Sequence, residues 1–294
     1  MFAVVLGHVI VNNHIAAMDT FIWHIPGFLL ITGYFGVTLS WRKVVKLLGT
    51  VYGCYWLTIP FRLGEDTLLS LLMPHGGWFL PFYLVLMLLS PLFNAILQSP
   101  ITRRTLLGVV VLCLVIGWIP TISNNAHIGM MRIPGLQGSG LLLMMATYIV
   151  GRLIREFDLG NKGSMLAWLI CFSGCVFALA MPCGRLLISN GYASPFVIIT
   201  ATCGFVAFLH LPAGLGCVGK LVNLISPSMF GVYILHECCI KKFQYLPPST
   251  DNGGVVLSAA LFVGCIMIDG IRRYIWFGIV KLSAGIRRSS SRRE

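Results

Sequence analysis

Long unbroken apolar runs fill this chain, and nearly all of its charge lies in the gaps between them. A run apolar on every side has no polar face to give to water, so it calls for a hydrocarbon solvent. A helix crosses the hydrocarbon core in about 20 residues. With that ruler ten segments are read: 1–11, 21–40, 44–61, 78–97, 106–122, 138–153, 164–181, 194–211, 221–240 and 255–280. Transmembrane β-barrel strands alternate apolar and polar positions, which these runs do not. Hydrophobic residues make up 57% of the 294 positions and charged residues 10%, against about 25% charged in a soluble domain. Those proportions exclude a water-soluble fold, a disordered chain and a secreted disulfide module. The expected fold is an all-α integral membrane protein of about ten transmembrane helices. Residues 1–286 are read as one transmembrane domain and 287–294 as a mobile basic cytoplasmic tail that can rest on anionic lipid.

The net charge of +12 has no need of nucleic acid, because the cations sit in loops, where basic residues orient a membrane protein. Arg42, Lys43, Lys46, Arg103, Arg104, Arg152, Arg155, Lys162, Lys220, Arg272, Arg273, Lys281, Arg287, Arg288, Arg292 and Arg293 fall on one side. Only Arg62, Arg132, Arg185, Lys241 and Lys242 fall on the other. The positive-inside rule makes the first side cytoplasmic and puts both termini there. The first segment is too short to span and lacks the basic start and cleavage site of a signal peptide, so it is expected to be a helix whose beginning is missing. Ten cysteines are present without a CxxC pair, and Cys113, Cys171, Cys203 and Cys265 lie inside apolar runs as small packing residues. Neither a zinc site nor a disulfide frame is expected.

Titratable groups inside spans are costly, so they mark cavities or partners. His8 in VVLGHVI is either a hydrogen-bonded packing residue or a general base, since imidazole titrates near neutrality. His24 in FIWHIPGFLLITGYFG stands about one turn inside the outer end of its helix, as an interfacial anchor beside Trp23 or as a site residue. His236 and Glu237 in ISPSMFGVYILHECC lie near the outer end of the ninth segment, where Glu237 can also neutralise Lys241. Asp269 has Arg272 and Arg273 within helical reach and is read as structural. Three histidines and a carboxylate raise the question of a metal, but no two share a ligand spacing, so none is expected. Arg42, Lys43 and Lys46 open the third segment, where they either set topology or hold phosphates; Lys43 and Lys46 share a face. Walker A, GxSxG and HExxH patterns do not occur.

The ordered set VVLGHVI, WHIPGFLLITGYFG, WRKVVKLL, GGWFLPFYLVLMLLSPLFN, TYIVGRLIRE, ISPSMFGVYILHE and IDGIRRYIW resembles the acyltransferase-3 family of integral membrane O-acyltransferases, notably the bacterial members that modify surface polysaccharides. The resemblance implies a ten-helix bundle in the bacterial cytoplasmic (inner) membrane. It implies transfer of an acyl group, usually acetyl, from cytoplasmic acyl-CoA to a hydroxyl of an extracytoplasmic glycan or lipid-linked saccharide. No permanently bound cofactor is implied, and acetyl-CoA is a cosubstrate. His8 matches the family's first-span histidine; the basic residue eleven positions before it would precede Met1. Lys43 and Lys46 match a basic pair spaced by three, as Lys in place of the usual Arg, and with Arg42 and Arg152 they are expected to meet the CoA phosphates. His8 is then the catalytic residue, and His24, His236 and Glu237 orient it or bind the acceptor. Two other classes stay open: a multi-span transporter or flippase, against which stands the absence of a repeated half, and a non-catalytic truncated relative.

Overall fold

The computed structural model describes residues 5, 23–59, 79–125, 141–181, 194–212, 216–243 and 251–290. Among them the architecture is all helical, with no strand. The helices are α1 (His24–Phe35), α2 (Trp41–Leu57), α3 (Phe79–Ile96), α4 (Pro100–Asn125), α5 (Leu141–Glu156), α6 (Met165–Ala180), α7 (Pro195–Leu209), α8 (Gly216–Ile225), α9 (Met229–Phe243) and α10 (Asp251–Ser290). Short 3-10 turns at Leu159–Asn161 and Ser226–Ser228 join α5 to α6 and α8 to α9.

Local chemistry explains the boundaries. Pro26 lies in the first turn of α1 and Pro195 opens α7, positions where the missing N–H would be unsatisfied anyway. The Ser164 hydroxyl accepts from the Ala167 N–H at 3.1 Å and caps α6. α1 stops at Gly36, whose φ of 74° suits a residue without a Cβ. Inside the helices, Thr32, Thr200 and Thr202 donate to the carbonyls of Phe28, Phe196 and Ile198, each at 2.8 Å, so these hydroxyls need no water.

Two expectations change. The ninth segment is two helices, because Pro227 has no N–H to continue the ladder and its ring crowds the preceding turn, leaving a 3-10 turn between α8 and α9. α10 runs unbroken for 40 residues to Ser290, about 60 Å at 1.5 Å per residue, so helix continues past Arg287. And among the described residues only Val255–Gly278 is long and apolar enough to cross a membrane by itself. The apolar helices His24–Phe35, Phe82–Ile96, Met165–Ala180 and Pro195–Leu209 are shorter than that requirement. Of the first segment only Val5 is described.

The chain packs as two compact units. The first comprises Met1–Asn13, Trp41–Gly77 and Leu215–Glu294, and so holds α2, α8, α9 and α10. Its core joins Val5, Cys54, Val232, Leu235, Ile240, Leu261 and Cys265. The second comprises His14–Ser40 and Trp78–Gly214, with α1 and α3 to α7. There Leu30, Ile154, Ala201, Phe205 and Val206 form one core cluster, and Leu179 with Val197 another. Large apolar side chains also face outward: Leu166, Ile170 and Phe177 on α6, and Val256, Met267 and Phe277 on α10, are each more than 60% exposed. Such a surface is a liability in water and an asset in hydrocarbon.

Candidate active site and its basic approaches

In the second unit α1 and α5 meet backbone to backbone. A Cβ at Gly33 would collide with the Tyr148 carbonyl, and one at Gly151 with the Leu30 carbonyl. This contact sets three groups at the end of α1. The Tyr148 hydroxyl accepts from the Val37 N–H at 3.3 Å. Arg155 Nη1 lies 3.4 Å from the Tyr34 and Phe35 carbonyls, which are left over at the helix terminus. Arg152 lies against Gly36, where a Cβ would come within 2.6 Å of its Nη1. Its Nη2 is 3.7 Å from Glu156, one turn along α5. Glu156 also faces Arg103 Nη2 at 3.5 Å. Arg152 is mostly buried, and its Nε has no hydrogen-bond partner among the described residues.

His24 is the first residue of α1, so it stands in the opening turn and not one turn inside, as the segment boundary had implied. It is buried, 8% exposed, rather than anchored at an open surface. The neighbouring Trp23 ring meets Phe172 of α6 edge to face at 5.2 Å between centroids.

In the first unit α9 carries His236, buried at 3% exposure. Its Nδ1 is 2.5 Å from the Tyr233 carbonyl, one turn back, and the two rings are 5.7 Å apart. A carbonyl only accepts, so Nδ1 bears the proton in this bond and Nε2 is the basic nitrogen. Glu237 follows on the same helix, and its side chain lies outside the described residues.

The same unit buries Asp269 completely. Arg272 Nε donates to its Oδ1 at 2.8 Å, and Cys54 Sγ of α2 is 3.7 Å from the same oxygen. Gly231 of α9 leaves the room, since a Cβ there would overlap the carboxylate. The pairing with Arg272 agrees with the structural role read from helical spacing. Oδ2 has no hydrogen-bond partner among the described residues. Arg42, Lys43 and Lys46 occupy the first two turns of α2, and all three are exposed. His8 lies outside the described residues.

The family model described as an acyltransferase domain matches residues 1–268. The chain belongs to the acyltransferase-3 family. No curated protein and no solved structure matches it. Members of this family are typically integral membrane acyltransferases, which take an acyl donor and an acceptor. The match spans the whole of the second unit and the first unit as far as residue 268, one residue short of Asp269.

Several contacts in this acyltransferase-3 chain escape a reading of the sequence. Glu156 stands four residues after Arg152 on one helix, while its second cation, Arg103, comes from another helix. Gly36 and Gly231 give no local sign of the side chains they admit. His210, at the end of α7, sets its Nδ1 2.8 Å from the Val206 carbonyl, as His236 does to Tyr233. The signal in both cases is a histidine three or four residues after the carbonyl that it meets on its own helix.

Proposed function

We propose that this protein is a membrane O-acyltransferase of about ten spans, with both termini cytoplasmic, that moves an acetyl group from cytoplasmic acetyl-CoA to a hydroxyl of an extracytoplasmic or surface glycan. The observation that carries the proposal is the family match across residues 1–268. The exposed cations that open α2 support it, because phosphates reached from water need charges on the surface. Arg42, Lys43 and Lys46 bind the donor's phosphates. Arg152 shares its guanidinium with Glu156 and packs against Gly36, where it holds the end of α1.

The chemistry asks for a base at the acceptor hydroxyl and a path for the thiolate to leave. His8 is the catalytic residue of the proposal. It takes the hydroxyl proton as the alkoxide attacks the thioester carbon, the C–S bond breaks, and the proton passes to the departing CoA sulfur. His236 is suited to a supporting role. Its Nδ1–H bond to Tyr233 fixes the ring and leaves Nε2 as the nitrogen that can accept a proton or a sugar hydroxyl. His24, buried at the start of α1, and Glu237 are assigned to the acceptor side.

Mass analysis of surface glycans tests this. Cells expressing the chain carry an O-acetyl increment, and cells lacking it do not. His8→Ala at equal expression loses at least about 100-fold in transfer, the contribution of a positioned base. Full activity in that variant removes the catalytic assignment. Flux of a saccharide in proteoliposomes without acyl-CoA would instead favour a flippase.

A further inference from the structure

Two thiols meet across the contact between α9 and α10. Cys239 Sγ of α9 lies 3.7 Å from Cys265 Sγ of α10, and no disulfide joins them. The helices around them are held. Leu235, Leu261 and Cys265 share one core cluster, and Cys239 packs against it. Four residues after Cys265, Asp269 occupies the gap left by Gly231. Gly231 precedes Cys239 on α9, while Asp269 follows Cys265 on α10. The two helices are therefore antiparallel and are pinned against each other at two levels. Cys54, in the same core, is turned to the Asp269 carboxylate instead.

The two sulfurs differ in access. Cys239 is half-buried and stands four residues before the end of α9, while Cys265 is completely buried. An accessible thiol beside a second, resolving thiol is the arrangement that oxidant-sensing cysteines use. A disulfide holds its sulfurs about 2.05 Å apart, so this pair has to close by about 1.7 Å, a shift on the scale of side-chain rotation about Cα–Cβ. The pairing is invisible in sequence, because the two positions are 26 residues apart and lie on different helices. The acyl transfer described above uses neither sulfur.

We infer that Cys239 and Cys265 form a peroxide-responsive site that closes into a disulfide between α9 and α10. The Cys239 sulfur attacks hydrogen peroxide. An S–O bond forms, the O–O bond breaks, and the leaving hydroxide takes the thiol proton to become water. The Cys265 sulfur then attacks the Cys239 sulfur of the resulting sulfenic acid. The S–S bond forms, the S–O bond breaks, and a second water leaves with the Cys265 proton. The two sulfurs lose two electrons, and the peroxide gains them. The product ties α10 to the helix that carries His236, one turn before Cys239. A dithiol reductant reverses the bond by exchange. The inference stands apart from the identity of the acyl donor and acceptor.

The test treats the full chain, in phosphatidylcholine nanodiscs, with hydrogen peroxide. Remaining thiols are then blocked with N-ethylmaleimide under denaturing conditions, and the protein is mapped by non-reducing peptide mass spectrometry. The expected product is a peptide pair linked through Cys239 and Cys265, which dithiothreitol separates. Cys238→Ser keeps the link, and Cys239→Ser loses it, which assigns the bond between the two adjacent cysteines of α9. In Cys265→Ser the reaction stops at a Cys239 sulfenic acid, which dimedone traps. Mapping of the wild-type chain decides the matter even where a serine variant fails to fold. A wild-type chain with no Cys239–Cys265 link after peroxide, or with Cys265 linked to any other cysteine, overturns the inference.

Discussion

Asp269 shows what one buried carboxylate can organise. It sits on α10 at no exposure, accepts from Arg272 three residues on, lies against Cys54 of α2 and occupies the gap left by Gly231 of α9. The Arg272 half of this cluster is legible in sequence, because residues three apart share a helical face. The Cys54 half is not, since that contact joins positions 215 apart. Removing one partner of a buried pair leaves an uncompensated charge, at a cost of about 3–5 kcal/mol. Asp269→Ala should therefore lower the thermal unfolding midpoint of the purified chain markedly. The double variant Asp269→Ala with Arg272→Leu should recover part of the loss, because the stranded cation is gone. Equal midpoints for wild type and Asp269→Ala would show that the pair does not hold the three helices.

At the scale of the element, the α1–α5 contact depends on glycine at two positions. The small residues of GFLLITGYFG permit close helix approach, and Gly33 makes one against the Tyr148 carbonyl. Which helix would approach was hidden, because Gly151 is one of several glycines in apolar surroundings. A backbone carbonyl cannot swing aside as a side chain can. Gly33→Ala should therefore push the helices apart and cost about 1–3 kcal/mol, the usual range for overpacking. Gly27 is the internal control. It lies on the same helix with nothing within 4 Å of an added Cβ, so Gly27→Ala should be neutral or stabilising by up to about 1 kcal/mol. Unfolding midpoints of the two variants, measured side by side, decide the matter. The break at Pro227 belongs to the same scale. Its apolar neighbours on both sides carried the reading of one continuous span, while the proline's missing donor made two helices.

Across the whole molecule, the acids of the basic side are distributed unevenly. Glu156 and Asp158 lie in the second unit, close in sequence to Arg152 and Arg155, while α2 contains no Asp or Glu of its own and α10 none after Asp269. Exposed charges of that kind are screened by salt, with a Debye length of about 10 Å at 0.1 M and about 3 Å at 1 M. The KM for acetyl-CoA should accordingly rise several-fold between low salt and 0.5 M salt, with kcat nearly constant. A KM indifferent to salt would mean that the donor is held by contacts other than exposed cations.

Hydropathy, loop charge and a handful of ordered motifs were enough to define an all-helical chain, its expected membrane setting and its acyltransferase-3 membership. These properties are sums along the chain, and the residues themselves contain them. The tertiary structure alone decided which cations are neutralised and which stand together, where the ninth segment divides, and which glycines admit a carboxylate or a guanidinium. Those outcomes depend on which helix lies against which, and that choice is made by the fit of backbones and side chains between segments far apart in sequence.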